Sequence, residues 1–189
     1  MKRQLTLKEY RTIDLILFAL MLAVFEFIIV RVSASELFWD QQFTVSLAGA
    51  IASIVYMRWG WWGGLHAALA GALYSLYCGG GPAQFATYIL GNLFSLAAVP
   101  ALKKLGPQRV REGRLSALLF PLAVILLMQA GRCAVSVILG ASLWDGLAFF
   151  MTDSLSVLFT LVIVWIARRL DGVYEDQKHY LLRLQQEQD

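Results

Sequence analysis

Six apolar stretches fill most of this chain, and they constrain its fold more than any other feature. They run at 12–31, 43–58, 62–77, 84–102, 115–139 and 147–167. A transmembrane helix needs about 20 predominantly apolar residues to cross about 30 Å of hydrocarbon. The second and third stretches are short for this purpose, and glycine-rich turns join the third to both neighbours. The sequence therefore predicts an all-α polytopic membrane protein, a compact bundle of six transmembrane helices.

The composition requires lipid around these stretches. The 189 residues are 59% hydrophobic and 15% charged, whereas soluble domains are about 45–50% apolar and about 25% charged. One core of this size cannot bury the excess. The first stretch resembles a signal peptide, but it is longer than a typical apolar signal region and carries Asp14, so we expect a retained helix.

Lysine and arginine residues mark alternate connections between the stretches. All of them except Arg31 and Arg132 lie before the first stretch, between the second and third, between the fourth and fifth, or after the sixth. Basic residues collect on the cytoplasmic side, so we expect both termini to face the cytoplasm from the cell membrane. Residues 1–168 are predicted to form a transmembrane substrate-binding domain, and 169–189 a short cytoplasmic helix or tail.

Several function classes find no support in the sequence. The net charge of +3 needs no nucleic acid partner, because the basic residues lie at helix ends. The chain contains no GxxxxGK[ST], HExxH or GxSxG motif, and Cys78 and Cys133 provide neither metal-ligand spacing nor a disulfide framework. We therefore expect no catalytic residues, no metal and no cofactor. ATP hydrolysis by the P-loop route must come from other chains if the protein takes part in active transport.

Polar side chains inside the predicted helices lie mostly in the halves nearest the outside. Arg132 is the most costly, since an arginine at the centre of a membrane helix costs about 2.5–3.5 kcal/mol even on insertion scales. This distribution argues against an ion relay through the whole membrane and predicts an apolar-walled pocket open to the outside. The residues expected to bind substrate are Glu26, Trp39, Tyr77, Gln84, Tyr88, Asn92, Gln129, Arg132, Trp144 and Asp153.

Arg132 has a second possible role. Intramembrane charges usually pair, so Arg132 could bind Asp153 or Glu26 and hold the bundle together. The two roles are compatible if the ion pair forms the floor of the pocket.

Small residues recur at helical spacing in several stretches. In the third, Gly63, Ala67, Gly71 and Ser75 form one stripe, which predicts close helix packing inside the bundle. In the first, Ala19 and Ala23 form an Ala-x-x-x-Ala motif.

This combination resembles the substrate-specific (S) component of energy-coupling factor (ECF) vitamin transporters, which carries an AxxxA motif on its first helix. The resemblance implies that Ala19 and Ala23 form the interface with a transmembrane coupling subunit. It also implies two cytoplasmic ATPases on separate chains, high-affinity capture of a vitamin from outside, and toppling of the bundle in the membrane. The aromatic outer loops with little net charge favour a large uncharged ligand. Cobalamin is the first choice, followed by riboflavin or a queuosine-type precursor.

Two other classes remain open. Bundles of similar topology serve as membrane sensors or as cell-shape and assembly scaffolds, although a scaffold would not need Arg132 and Asp153 facing the outside. An intramembrane enzyme would need a nucleophile–base pair or a metal site, and the sequence shows neither.

Overall fold

The computed structural model describes residues 6–34 and 44–186. It is all-helical, with 84% helix and no strand among the described residues. The helices are α1 (Leu7–Ser33), α2 (Ala48–Trp59), α3 (Gly63–Tyr77), α4 (Pro82–Leu93), α5 (Ala98–Leu105), α6 (Pro107–Glu112), α7 (Ser116–Ile138), α8 (Leu143–Thr152), α9 (Ser154–Ala167) and α10 (Gln177–Gln186). Short 3-10 turns, Gly60–Trp62 and Phe94–Ala97, join α2 to α3 and α4 to α5.

The expectation of an all-α fold is confirmed, and several of its helices could cross a membrane. Three helical segments of the described residues are long and apolar enough to cross a membrane: α1, the run Pro82–Leu105 and α7. The α8–α9 pair, bent by 41°, counts as a fourth if it forms one span. By contrast, α2 has 12 residues and α3 has 15, fewer than the roughly 20 of a typical span. Six spans and the side of each terminus therefore stay predictions.

Short-range sequence signals explain where several helices begin. Thr6 caps α1 through a capping box with Glu9, and Ser142 caps α8 in the same way with Asp145. Pro82 opens α4, where the missing N–H of proline costs no helical hydrogen bond.

The second predicted span, one of the two shortest, lies at the centre of the bundle. Every residue of α2 from Ala48 to Arg58 is buried. A helix that is apolar all round is expected inside a bundle rather than at its surface. On α1, in contrast, only Asp14, Leu22 and Glu26 are buried, so this helix packs by one narrow face and exposes apolar side chains elsewhere.

Small residues on α3 make the close packing that the sequence predicts. A side chain at Gly71 would collide with the backbone of Tyr88 and Ile89 on α4, and one at Gly63 would collide with the Tyr56 ring on α2. The helices can approach this closely because no Cβ separates them.

Both terminal segments meet at one end of the bundle. Arg58 is buried and its Nη2 lies 2.6 Å from Asp14 Oδ1, while its Nη1 donates to the carbonyl oxygens of Gly172 and Val173. Most of the basic connections lie here, so we name it the basic end. Tyr174 is fully buried in the main apolar cluster. Part of the predicted tail is thus integral to the bundle.

Candidate functional site

Arg132 lies in the interior of the bundle, with two polar partners. The residue is 4% exposed. Its Nε donates to Asn92 Oδ1 on α4 at 2.8 Å, and its Nη1 forms an ion pair with Asp153. The expected pairing of Arg132 with an acidic residue is therefore confirmed, and Asp153 is the partner. Asn92 orients the guanidinium from the other side, since its own Nδ2 is held by the Ala67 carbonyl at 2.9 Å.

The break between α8 and α9 places Asp153 opposite Arg132. Asp153 ends α8 and precedes α9 at the 41° bend, so its side chain enters the bundle there and is 3% exposed. It also accepts a hydrogen bond from Thr44 Oγ1. The backbone N–H of Thr44 donates to the Thr152 carbonyl at 2.9 Å, which ties the segment before α2 to this bend.

Aromatic rings cover the cation. The Arg132 Cζ atom lies 4.7 Å from the centroid of the Tyr88 ring, a cation–π distance. Tyr74 on α3 packs against Tyr88 with ring centroids 4.7 Å apart, and Phe149 on α8 contacts Tyr88 edge-on. Sequence reasoning singled out Tyr88 and missed both Tyr74 and Phe149. The available signal for Tyr74 was its place one helical turn before Tyr77.

Glu26 is predicted from the sequence to bind substrate or to pair with Arg132, and its hydrogen bonds in the structure lead to the start of α2. It is fully buried, and its Oε1 accepts hydrogen bonds from Ser46 Oγ at 2.6 Å and from the Leu47 N–H at 2.8 Å. A carboxylate at this point lies at the start of α2, where the helix dipole favours negative charge. Its Oε2 has no hydrogen-bond partner among the described residues. Glu26 therefore anchors α1 to α2 through these hydrogen bonds, while the ion pair of Arg132 is with Asp153.

An enclosed cavity adjoins the ion pair. Its volume is about 10 Å³, and Arg132, Asp153, Asn92, Tyr88 and Tyr74 contribute to its wall. Thr44, Ser46, Ala48 and Ala70 complete the lining. A cavity needs at least about 10–15 Å³ to hold one water molecule, so this cavity has room for about one water, and a ligand would enter it only if the surrounding side chains moved apart. We name it the inner cavity.

A larger and more open concavity lies beside the inner cavity. Its volume is about 350 Å³, and it is lined by the ends of α1 and α3 that are remote from the basic end and by Thr44 and Val45. Thr44 and Tyr74 belong to the walls of both spaces. The two spaces therefore share a boundary, with the Arg132–Asp153 pair on the inner side and the bundle surface on the outer side. We name this second space the outer concavity.

The structure brings only some of the predicted binding residues together. Tyr88, Asn92, Arg132 and Asp153 line the inner cavity, and Tyr77 lines the outer concavity. Gln84 is half-buried beside Gly80, Gln129 is buried within α7, and neither lines either space. Trp144 is 81% exposed at the start of α8. Trp39 lies outside the described residues.

The two alanines predicted to form a subunit interface lie on the partly buried side of α1. Ala19 and Ala23 are half-buried on α1, and the Tyr77 hydroxyl donates to the Ala23 carbonyl at 3.2 Å. Among the described residues, no group of three or more His, Cys, Asp or Glu side chains could hold a metal ion.

Comparison with models of known protein families, with curated proteins and with solved structures found no match for this chain.

Proposed function

We propose that this protein is a membrane-embedded solute-binding protein and acts as the S component of an ECF-type vitamin transporter. One observation carries the proposal: a buried ion pair, oriented by Asn92 and covered by Tyr88, lines a cavity next to a concavity at the end remote from the basic end. The proposed topology has six spans, both termini in the cytoplasm and this concavity facing outward from the cell membrane.

The charge of the site favours an uncharged or zwitterionic ligand. Arg132 and Asp153 are the charged residues in the wall of the inner cavity, and they pair with each other, so the wall itself carries no net charge. A guanidinium has five N–H donors, and Nε and Nη1 are the atoms engaged by Asn92 and Asp153. The Nη2 donors would bind a ligand carbonyl or ring nitrogen while Tyr88 and Tyr74 pack against a flat ring.

Cavity size narrows the choice of vitamin. Cobalamin, riboflavin and a queuosine-type precursor are the candidates implied by the resemblance. The inner cavity has room for about one water molecule, so the ligand would lie mainly in the outer concavity of about 350 Å³. This volume is near the lower end of the range for small-molecule pockets, about 300–1,000 Å³, and it suits a flat heterocycle better than a corrin ring. We therefore favour the two smaller candidates over cobalamin.

Ligand binding tests the proposal directly. The purified chain is titrated calorimetrically with riboflavin, a queuosine-type precursor and cobalamin. For the compound that binds the native protein, we expect Arg132→Leu to reduce affinity by at least about tenfold, because a charge-assisted donor is lost. Arg132→Lys should recover only part of the affinity, because an ammonium keeps the charge without the planar fork.

Arg31→Leu is the matched control, since Arg31 is exposed at the end of α1 and lines neither space. Its affinity should equal that of the native protein. A monodisperse Arg132→Leu protein with native affinity would show that Arg132 only clamps the bundle. Failure of every compound to bind would favour the sensor or scaffold class.

The position of α1 suits a role in subunit contact. This helix packs on the bundle by one narrow face, and its apolar side chains are exposed along most of its length. Ala19 and Ala23 flank its buried stripe, where a partner helix could approach closely. In the proposed assembly, a coupling subunit packs here and two cytoplasmic ATPases supply the energy.

Tryptophan substitution tests this interface. Ala19→Trp and Ala23→Trp are expected to abolish co-purification with a coupling subunit while ligand affinity stays within about twofold, because a bulky side chain blocks close helix approach. Leu17→Trp is the control: Leu17 is 54% exposed and projects to roughly the opposite side of α1 from Ala19. Normal assembly of both alanine variants would refute the interface.

A further inference from the structure

A cationic cleft lies at the basic end, where the chain turns from α5 through α6 towards α7. It is shallow, its volume is about 780 Å³, and Lys103, Lys104 and Arg109 lie in its wall with Glu112. Gly106 makes the corner between α5 and α6 with a φ of 85°, a left-handed conformation that glycine adopts without steric cost. The cleft thus carries three cationic side chains and one carboxylate.

The cationic side chains of the cleft are available to a ligand. In the part of the chain that the structure describes, neither lysine nor Arg109 forms an ion pair. The Glu112 carboxylate accepts a hydrogen bond from Gln108 Nε2 at 3.0 Å instead. The resulting excess of positive charge favours an anion.

The cleft lies at the level where a membrane begins. One candidate span, Pro82–Leu105, ends at its wall, and another, Ser116–Ile138, starts just beyond it. Leu105 and Leu115 beside it are 50% and 70% exposed, as expected of side chains that reach acyl chains. Lys103 Nζ lies 5.2 Å from the ring centroid of Trp61, which is half exposed. Tryptophan is enriched at membrane–water interfaces.

We propose that this cleft binds the phosphate-bearing headgroup of an anionic phospholipid. Basic pockets beside transmembrane helices on the cytoplasmic side bind such headgroups. Here Lys103, Lys104 and Arg109 contact the phosphate, while Leu105 and Leu115 contact the acyl chains. The site needs the basic end to face the cytoplasm, as in the topology proposed above, but it does not depend on any vitamin or coupling subunit.

Native mass spectrometry of the full chain in a neutral detergent tests the site, with phosphatidylglycerol and phosphatidylcholine as the probes. We expect the native protein to retain phosphatidylglycerol in preference to phosphatidylcholine. Lys103→Gln/Arg109→Gln should weaken phosphatidylglycerol binding by at least about tenfold, because each basic residue near the headgroup adds to the attraction. Both side chains line an open cleft, so a thermal melt should show native folding.

The control is Lys8→Gln/Lys178→Gln, which removes the same charge from exposed positions outside the cleft. It should bind phosphatidylglycerol as the native protein does. An equal loss in the control, or no loss in the cleft variant, would overturn the proposal. Displacement of the lipid by inorganic phosphate at equal concentration would also overturn it, because the cleft would then be a site for free phosphate.

Discussion

Replacing Asp153 with asparagine is expected to lower the free energy of unfolding by about 3–5 kcal/mol, because it leaves the guanidinium of Arg132 buried without a counter-charge. The asparagine keeps the size of the side chain and an acceptor for Thr44, so the change isolates the charge. Denaturant unfolding in mixed micelles, followed by circular dichroism, measures the difference.

Two variants make this expectation specific to the buried pair. Asp171→Asn removes a carboxylate that is 65% exposed and paired with Arg183, so it should cost no more than about 1 kcal/mol. Replacing both charges in Arg132→Leu/Asp153→Leu should recover most of the stability lost in the single variant, since well-packed apolar residues often substitute for buried ion pairs. A single variant as stable as the native protein would mean that water reaches the pair.

The double variant also separates stability from function. If the ion pair exists to bind solute, the apolar double variant should fold and lose ligand affinity. If it binds ligand as the native protein does, the pair serves only the bundle and the proposed binding site is wrong. Conserved stability with lost affinity is the outcome that the proposed function requires.

Replacing Gly91 with alanine is expected to destabilise the protein by about 1–3 kcal/mol, the usual cost of overpacking a core. A Cβ at this position would lie 2.6 Å from the backbone nitrogen of Arg132 and 2.7 Å from its Cα. Backbone atoms cannot rotate away, so α4 and α7 must separate. Because Asn92 follows Gly91, the separation should also lengthen the Asn92–Arg132 hydrogen bond and reduce ligand affinity.

Gly81→Ala provides the matched control. An added Cβ there meets no atom within 4 Å, and its φ of −81° is one that alanine adopts readily. Gly81 is the N-cap of α4, where alanine is less favourable than glycine, so the unfolding free energy should fall by no more than about 1 kcal/mol and ligand affinity should not change. Equal effects of the two substitutions would show that the α4–α7 contact is looser than the structure indicates.

The sequence alone was enough to predict an all-helical fold and the polar groups buried inside it. Apolar stretches of this length must be covered by lipid or by one another, which explains both the buried α2 and the helices long and apolar enough to cross a membrane. The cost of burying a charge was enough to predict that Arg132 has an acidic partner. It was also enough to single out Asp153 and Glu26, because few carboxylates lie within the predicted helices.

The sequence left both carboxylates open as partners of Arg132, and the packing of the helices selected Asp153. The bend between α8 and α9 directs Asp153 at Arg132, and the start of α2 engages Glu26 through Ser46 and the Leu47 N–H. Hydrophobic periodicity carries no information about where one apolar helix bends or which neighbour it meets.

The same lack of information about helix packing explains why the predicted and observed site residues differ. Gln84, Tyr88 and Asn92 are spaced four residues apart and so share one face of α4, but packing brought only Tyr88 and Asn92 to the cavity. Tyr74 on α3, one helical turn before Tyr77, and Thr44 in the segment before α2 joined them. Helix faces follow from spacing along the chain, whereas a binding site depends on which faces pack together, and that is set by contacts between residues far apart in sequence.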